Sequence, residues 1–531
     1  MRPVHLVPAG VVLLAFGAVA AVAQLTAPAA PGPGQASGAP HQVAVTSAVR
    51  ACPPVQGGGP GRIAFIAGSP AASPPRGAGG TGGSGGTGGA EGPGQAELAP
   101  LPLAGAALRA LSPITQAELG ALSMLTTPAA QSASKKAATT LQGWSVTANG
   151  TMAQALEAEE ATSAGLASVR CGEPGSDIWF VGAGPLGGGG PLGGAGPQGG
   201  AAQIQLDLMN IDALPASVHV SIITDAGLVQ AGGDTGITVP PHETVTESLS
   251  SLAAGSSVVA IEVRTDIGRV AADVSESSRG GTASWLPSTA PPSTRLVIPG
   301  VPPSGSTAGL FIVVPGSANA RISVLAITAQ GHYHPFGTQT VDLPADSASY
   351  VPLTPLGGTA ALELTANVPV TAAVLVPGSG LGVFTAATVP ISEQAVVAGN
   401  TAGSGLSATI ILTAPDGPAR VRLTATAATA ATAATAGTAG TAATAGATSS
   451  QVVTVPAGHT LTVPATLPRG AKHGSAFALV ITPLAGSGPL YAARVETQGQ
   501  STVVSIIPAI SALTTLTLPP VRDSYDAISP R

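Results

Sequence analysis

The chain has 531 residues, of which 71 are glycine and 49 are proline, and charged residues make up only 9 %. Twenty Lys and Arg against 26 Asp and Glu give a net charge of −6, which argues against a nucleic-acid binder, and so few charges exclude a coiled coil or long helical bundle. The mean hydropathy of +0.40 is too high for a chain that is disordered throughout. These values indicate several small β domains joined by flexible inserts.

Residues 1–24 are predicted to be a signal peptide or an uncleaved N-terminal membrane anchor. Arg2 precedes an uncharged apolar run, residues 6–23, that ends in Ala-Val-Ala, the small-x-small form of a cleavage site. The run is about 18 residues long, near the lower limit for a bilayer span, so both alternatives stay open. In either case this segment contacts the membrane, and the rest of the chain is expected to be extracytoplasmic, either secreted or anchored to the plasma membrane.

Two cysteines, Cys52 and Cys171, are predicted to form a disulfide. An exported chain folds in an oxidising compartment, where an even pair of cysteines is most simply bridged. The bridge would close a loop of 119 positions and contribute on the order of 4 kcal/mol by restricting the unfolded chain. Two buried free thiols are the alternative, and a metal site is disfavoured because no His lies at ligand spacing.

A repeat of roughly one hundred residues fills most of the chain. Its copies are recognised by segments such as ASVHVSIITDAG (216–227), ARISVLAITAQG (320–331) and ARVRLTAT (419–426). The predicted units are a degenerate N-terminal β unit (43–170) with a Gly/Pro-rich insert (69–98), a first repeat (171–290) with a Gly-rich loop (182–200), a second repeat (291–394), a third repeat (395–520) with an Ala/Thr-rich insert (424–449), and a tail (521–531).

Within each copy, apolar and polar residues alternate. Val218, Val220 and Ile222 share one face of their segment and polar residues share the other, as in a β-strand with one face on a core. Five to seven such strands per repeat predict tandem β-sandwiches of immunoglobulin type, and a β-propeller with two blades per repeat is the alternative. The last two strands of each repeat are expected to form a hairpin, through residues 265–268 in the first and 367–369 in the second. Residues 114–125 are expected to form a short amphipathic helix.

Groups that could carry chemistry are sparse, and no catalytic, cofactor-binding or metal site is predicted. His332 and His334 would share a strand face, which suits a ligand, but a solvent-facing loop tip is the simpler interpretation. Glu157, Glu159 and Glu160 form the densest acidic group. Paired carboxylates hydrolyse glycosides, but this segment is Ala-rich and lacks aromatic sugar platforms, which favours a solvated face.

Three further groups have structural interpretations. Ser84 lies in a Gly-Gly-Ser-Gly-Gly match to a nucleophile elbow, but within a glycine tract that has no preceding strand. Trp179, Phe180 and Trp285 are predicted to be packing residues, with an exposed Trp that holds a glycan as the alternative. Four arginines are expected at the surface: Arg264, Arg269, Arg279 and Arg295.

The segment CGEPGSDIWF (171–180), the Val-Pro corners and the sequence VRTDIGRVAADV (263–274) resemble a family of exported actinobacterial proteins of unknown function, over roughly residues 43–520. These motifs are structural, so the resemblance implies a secreted or envelope protein built from β-rich repeats, with no assigned activity. The second and third copies have Pro-Gly and Ala-Pro where the first has Met209-Asn210, which argues against Asn210 as a ligand-binding residue.

The leading functional hypothesis is therefore a non-enzymatic β-repeat protein that acts as a scaffold or binding module at the cell envelope. Catalytic groups need clustered ionisable neighbours, and few are present. The alternatives are a carbohydrate-active or glycan-binding propeller and an accessory subunit of an envelope glycosyl-transfer or secretion machine. Envelope proteins or glycans are the expected partners, nucleic acid is not, and no cofactor is expected.

Overall fold

The computed structural model describes residues 41–54, 61–66, 95–104, 114–116, 122–126, 142–162, 168–185, 203–229, 236–277, 283–303, 308–378, 382–401, 405–427, 447–471, 476–499 and 502–518. Over these ranges the chain is all-β, as predicted, and the sole helical segment is the 3-10 turn Gly150–Ala153. They contain no helix with the length and apolar character needed to span a bilayer. The predicted signal or anchor segment, the tail 521–531, Ser84 and Arg279 lie outside the described residues.

The chain divides into two compact units. The smaller one comprises residues 1–43 and 515–531, and in it β1 (His41–Ala44) pairs with β36 (Thr515–Leu518). The larger unit, residues 44–514, contains all the other strands. These fall into four consecutive groups, which we name sandwich 1 to sandwich 4.

Sandwich 1 is built from eight short strands: β2 (Ser47–Cys52), β3 (Gly61–Ile66), β4 (Gln95–Pro102), β5 (Ile114–Gln116), β6 (Leu122–Thr126), β7 (Gln142–Asn149), β8 (Glu157–Thr162) and β9 (Ser168–Arg170). Its two sheets have the orders β2-β7-β4-β5 and β6-β3-β8-β9.

Sandwich 2 repeats this arrangement with split edge strands: β10 (Asp177–Ala183), β11 (Gln203–Met209), β12 (Ala216–Thr224), β13 (Gly227–Val229), β14 (Ile237–Val239), β15 (Thr244–Ser248), β16 (Val258–Ile267), β17 (Ala271–Ser277), β18 (Ala283–Leu286) and β19 (Ser288–Thr289). One sheet has the order β13-β12-β16-β10-β19 with β14 on β12, and the other β15-β11-β17-β18.

Sandwich 3 comprises β20 (Ser293–Val301), β21 (Ala308–Val314), β22 (Ala320–Thr328), β23 (Gly331–Tyr333), β24 (Val341–Leu343), β25 (Ser347–Leu353), β26 (Ala360–Val376) and β27 (Val383–Ala386). Sandwich 4 comprises β28 (Ala395–Thr401), β29 (Leu406–Ala414), β30 (Ala419–Ala427), β31 (Thr448–Val455), β32 (His459–Pro464), β33 (Ala476–Pro483), β34 (Tyr491–Gln498) and β35 (Thr502–Ala509). The sheets of sandwich 4 have the orders β28-β33-β30-β31 and β32-β29-β34-β35, the same as in sandwich 1.

In all four groups the chain passes from one sheet to the other near the end of the repeat. The expected terminal hairpin is therefore wrong: β16 pairs with β10 and β12, whereas β17 pairs with β11 and β18. In sandwich 3 the 17-residue strand β26 belongs to both sheets, since its first half pairs with β20 and β22 and its second half with β21 and β27. The alternation of apolar and polar residues is the same whether the next strand joins the same sheet or the opposite one, so it does not predict this passage.

The helix expected over residues 114–125 is also wrong. Residues 114–116 form β5 on β4, and residues 122–126 form β6 on β3. A short amphipathic segment has little helical stability of its own, and here two strands offer open edges for pairing. Two strands extend into the predicted inserts. β4 begins at Gln95, inside the insert 69–98, and β30 continues to Ala427, inside the insert 424–449.

Each pair of sheets encloses an apolar core. In sandwich 4, for example, Val421 and Phe477 of one sheet pack with Ile410, Leu412 and Ala492 of the other. Two sheets on one core are a sandwich, which favours that interpretation over propeller blades.

Contacts between the sandwiches form a closed cycle. Sandwich 1 meets sandwich 2 through Ala51, Leu101, Met209 and Ala271, and Phe311, Phe384 and other residues of sandwich 3 join the core of sandwich 2. Ile411, Val495 and Ile506 of sandwich 4 join the core of sandwich 3. Sandwich 4 returns to sandwich 1 through Ile66, Ala155, Val396 and Val480. The first and last repeats are therefore neighbours in space.

Candidate functional site

A pocket of about 340 Å³ opens where sandwiches 1, 2 and 4 meet, and we name it the junction pocket. Residues 168–175, which comprise β9 and the loop after it, form one wall together with the start of β10. The other walls are Ala272 and Asp273 of β17, residues 285–289, and residues 506–510 at the end of β35. A concave, largely apolar site with a few polar groups at a domain junction is typical of small-molecule binding.

The loop that forms the floor of this pocket is held on both sides. Gly172 exchanges two backbone hydrogen bonds with Ala51 of β2, at 2.8 and 2.9 Å, and Gly175 exchanges two with Val270, at 2.9 and 3.1 Å. Cys171 at the start of the loop is disulfide-bonded to Cys52, and both cysteines are fully buried. The segment CGEPGSDIWF therefore ties sandwich 1 to sandwich 2 and presents a preformed surface to the pocket.

Arg170 lies in a buried network of two cations and two carboxylates. Its guanidinium donates to Glu157. The Nε of Arg50 lies 3.6 Å from Glu157, and its other arm lies 3.3 Å from Glu173, whose side chain is 62 % exposed. Burial lowers the pKa of Arg170, while the nearby Glu157 carboxylate opposes that change. The Nε of Arg170, itself buried, has no hydrogen-bond partner among the residues that the structure describes.

Asp273 is the buried acid of the pocket wall. It lies opposite Asp207 on the adjacent strand, and its Oδ2 finds no hydrogen-bond partner within the described ranges. Burial raises the pKa of Asp273 well above its ordinary value, and the neighbouring Asp207 and Glu160 add to this, while Arg170 acts in the opposite direction. Burial also raises the pKa of Asp207 to about 6, although hydrogen bonds from Thr246 and Gln205 hold it down. Burial and two neighbouring acids therefore both favour the protonated form of Asp273.

The expectation that Glu157, Glu159 and Glu160 form a solvated face is wrong. The exposed fractions of these three residues are only 1, 3 and 3 %, respectively. Glu157 pairs with arginine as described, whereas burial raises the pKa of Glu160 well above its ordinary value, and neither oxygen of Glu160 has a partner in the described part of the chain. The arginines that pair with Glu157 and Glu159 lie on other strands, and the acidic run itself does not reveal them.

Glu159 forms a second buried ion pair, between sandwiches 1 and 4. The fully buried Arg494 of β34 donates to both carboxylate oxygens of Glu159. Burial lowers the pKa of Arg494, but Glu159 and Glu496 outweigh it and the net change is upward. Nearby, the hydroxyl oxygens of Ser168 and Ser505 lie 2.6 Å apart. These polar contacts add to the apolar contact between the first and last sandwiches.

The remaining sequence-predicted residues have structural surroundings. Trp179 and Phe180 are buried in the core of sandwich 2, whereas Trp285 is half-buried and lines the junction pocket. His332 and His334 are exposed, and the Nδ1 of His334 lies 2.7 Å from the backbone oxygen of Val324.

The three described arginines of this group all make ion pairs, and that of Arg264, with Glu262, is the longest at 3.9 Å. Arg269 donates to both oxygens of Asp212. Arg295 joins Glu363 to Asp416 and so connects sandwiches 3 and 4. Asn210 stabilises a turn, since its amide donates to the carbonyls of Leu214 and Val239.

The pocket offers binding groups rather than an evident nucleophile and base. Its lining contains no His or Lys. The hydroxyl of Ser168 is hydrogen-bonded to Ser505, and that of Thr289 lies 3.0 Å from Thr371. In the described ranges no three His, Cys, Asp or Glu side chains are grouped so as to hold a metal ion. Other groups in the lining include the acid of Asp273, the guanidinium of Arg170, the indole of Trp285, and the exposed side chains of Glu173, Asp177 and Ser288.

Comparison with known proteins gives a family but no function. The sequence profile of DUF5719, a family of unknown function, matches residues 126–466, which span sandwiches 2 and 3 entirely. No curated protein matches significantly, and no solved structure does either. The matched region covers nearly two thirds of the chain, so the resemblance noted from the repeat motifs is confirmed at the level of the family. The chain belongs to the DUF5719 family.

Proposed function

We propose that this protein is an exported, non-enzymatic binding module of the cell envelope, in which sandwiches 1, 2 and 4 hold a small ligand in the junction pocket. The observation that carries the proposal is that two residues lining the pocket, Asp273 and Arg170, each have a buried polar atom, Oδ2 and Nε, without a partner among the described residues. Buried polar groups are normally hydrogen-bonded, and a bound ligand would supply the missing partners.

The buried disulfide supports an extracytoplasmic location. Disulfides persist in oxidising compartments and are uncommon in the reducing cytosol. The bridge joins Cys52 to Cys171 directly beside the pocket. Reduction would release the loop that forms the pocket floor, so ligand binding should depend on an oxidising environment.

The state of the ionisable groups supports binding without catalysis. A general acid or base needs a pKa near the working pH and a reacting partner within hydrogen-bond reach. Burial shifts the pKa of Asp273 upward, and Arg170 is paired with Glu157.

The test is a ligand screen that follows tryptophan emission and thermal stability together. Trp285 is half-buried, while Trp144 and Trp179 are only 6 and 4 % exposed, so a pocket ligand should change mainly the emission of Trp285. The full chain is screened against neutral saccharides, organic cations, organic acids and short peptides. We expect a saturable change in the wild-type protein that is lost in Trp285→Ala. If no compound of any class produces such a change, the binding function is refuted.

A further inference from the structure

We infer that the ligand of the junction pocket is a neutral carbohydrate, with one sugar ring against Trp285 and its hydroxyls hydrogen-bonded to Asp273 and Arg170. This inference rests on the proposed binding function and adds the chemical class of the ligand.

The charge of the pocket disfavours ionic ligands. An anion would find a single cation in the lining, Arg170, which is already paired with Glu157, and would approach past the carboxylates of Glu173 and Asp177. A cation could approach Asp177 but would also lie near Arg170, and Glu173 is already paired with Arg50. A buried unpaired charge is costly, so a neutral ligand meets the least opposition.

The polar atoms left free are of opposite kinds. Arg170 Nε is a donor, and Asp273 Oδ2 is a carboxyl oxygen that can accept a hydrogen bond. Adjacent hydroxyls on a sugar ring both donate and accept, so one ring can satisfy both protein groups. A purely apolar ligand would leave both groups unpaired, at the full desolvation cost.

The remaining walls fit the apolar face of a sugar. The half-buried indole of Trp285 stands on one side, and Ile507 and Pro508 of β35 lie on another. A pyranose presents C–H groups above and below its ring, which pack on an aromatic face while the equatorial hydroxyls point outward to polar groups. The volume of about 340 Å³ falls in the range of small-molecule sites.

The experiment is a titration of the full, oxidised chain with defined sugars. Neutral di- and hexasaccharides of glucose, galactose, mannose, arabinose and N-acetylglucosamine are compared with glucuronate and glucosamine, by tryptophan emission and by calorimetry. We expect at least one neutral series to bind saturably, with about tenfold or greater weakening in Trp285→Ala and in Asp273→Ala. Trp285→Phe should restore part of the affinity, because it keeps an aromatic face.

Asp266→Ala is the matched control, since Asp266 is an exposed aspartate of the same sandwich outside the pocket lining. Binding of only an acid, amine or peptide would overturn the carbohydrate inference and leave the binding function standing. Neutral sugar binding that is unchanged in Trp285→Ala would overturn the inference by placing the sugar elsewhere. Absence of binding in every class would overturn both proposals.

Discussion

Glu276 gives the most quantitative prediction, because a single buried carboxyl makes the stability of the chain depend on pH. Glu276 lies on the face of β17 that also carries Val274, toward the core of sandwich 2, and is 1 % exposed. Burial raises the pKa of Glu276 from 4.5 to about 8, although a hydrogen bond from the Ala183 backbone lowers it. No charged group contributes to this change, so Glu276 titrates independently of the pocket acids.

The sign and size of the effect follow from proton linkage. Below pH 4.5 the carboxyl is protonated in both the folded and the unfolded chain, and the free energy of unfolding carries no penalty from Glu276 ionisation. Between pH 4.5 and about 8 the unfolded chain loses the proton while the folded chain keeps it, so the free energy of unfolding falls by about 1.4 kcal/mol for each pH unit. The total loss is about 5 kcal/mol, and it levels off above pH 8. Glu276→Gln retains the acceptor for Ala183 and removes the proton, so it should abolish this loss.

The assay is urea unfolding of the oxidised chain at each pH unit from 4 to 9, for the wild-type protein and Glu276→Gln. The difference in the free energy of unfolding should grow in favour of Glu276→Gln by about 3 kcal/mol between pH 5 and pH 7. Glu247→Gln is the control, because Glu247 lies in the same sheet but keeps contact with solvent. A difference between wild type and Glu276→Gln that does not change with pH would refute the burial of an uncompensated carboxyl at this position.

Three further predictions address the joints between the sandwiches, each measured as the free energy of unfolding in urea. Replacing Cys52 and Cys171 together by Ser should cost on the order of 4 kcal/mol and make the protein insensitive to reductant; continued sensitivity would contradict the bridge. Arg494→Met should cost about 3–5 kcal/mol, because it leaves Glu159 buried without its cation. Adding Glu159→Gln to this variant should recover part of the lost stability. Losses that simply add in the double variant would contradict the pairing. Gly300→Ala should cost about 1–3 kcal/mol, since Gly300 has φ +81° and an added Cβ would come within 2.4 Å of a side chain of sandwich 4; a neutral result would contradict this close approach.

The repeat and its strands could be predicted from sequence because their signals are local. In β12, Val218 and Ile222 are buried while Ser217 and His219 are half-exposed, as the alternation indicates. A period of two in the apolar residues specifies which face of the strand is buried, but it does not specify which strand pairs with it. For this reason the sheet-to-sheet passage between β16 and β17 was not predictable, and the short segment before Leu125 formed strands on open edges instead of a helix.

The candidate site was less accessible, because its parts are distant in the chain. Glu159 and Arg494 are 335 residues apart, so the sequence around Glu159 shows an acidic run without its counter-charge. Asp273 lies in an ordinary strand pattern, and the groups around it, Asp207, Glu160 and Arg170, come from other strands. The one signal available was Trp285, an aromatic residue at a repeat boundary, for which glycan binding was the alternative interpretation.

The central claim is that sandwich 4 returns to sandwich 1 and thereby closes the junction pocket, and a cysteine cross-link tests it most directly. The hydroxyl oxygens of Ser168 and Ser505 are 2.6 Å apart across this joint, and those of Ser407 and Thr497 are 2.8 Å apart within sandwich 4. Ser168→Cys with Ser505→Cys should form a second disulfide on mild oxidation, detected by mass spectrometry of a proteolytic digest, as should the control pair Ser407→Cys with Thr497→Cys. A control pair that closes while the Ser168 and Ser505 positions remain free thiols would contradict the closed arrangement and the pocket that depends on it.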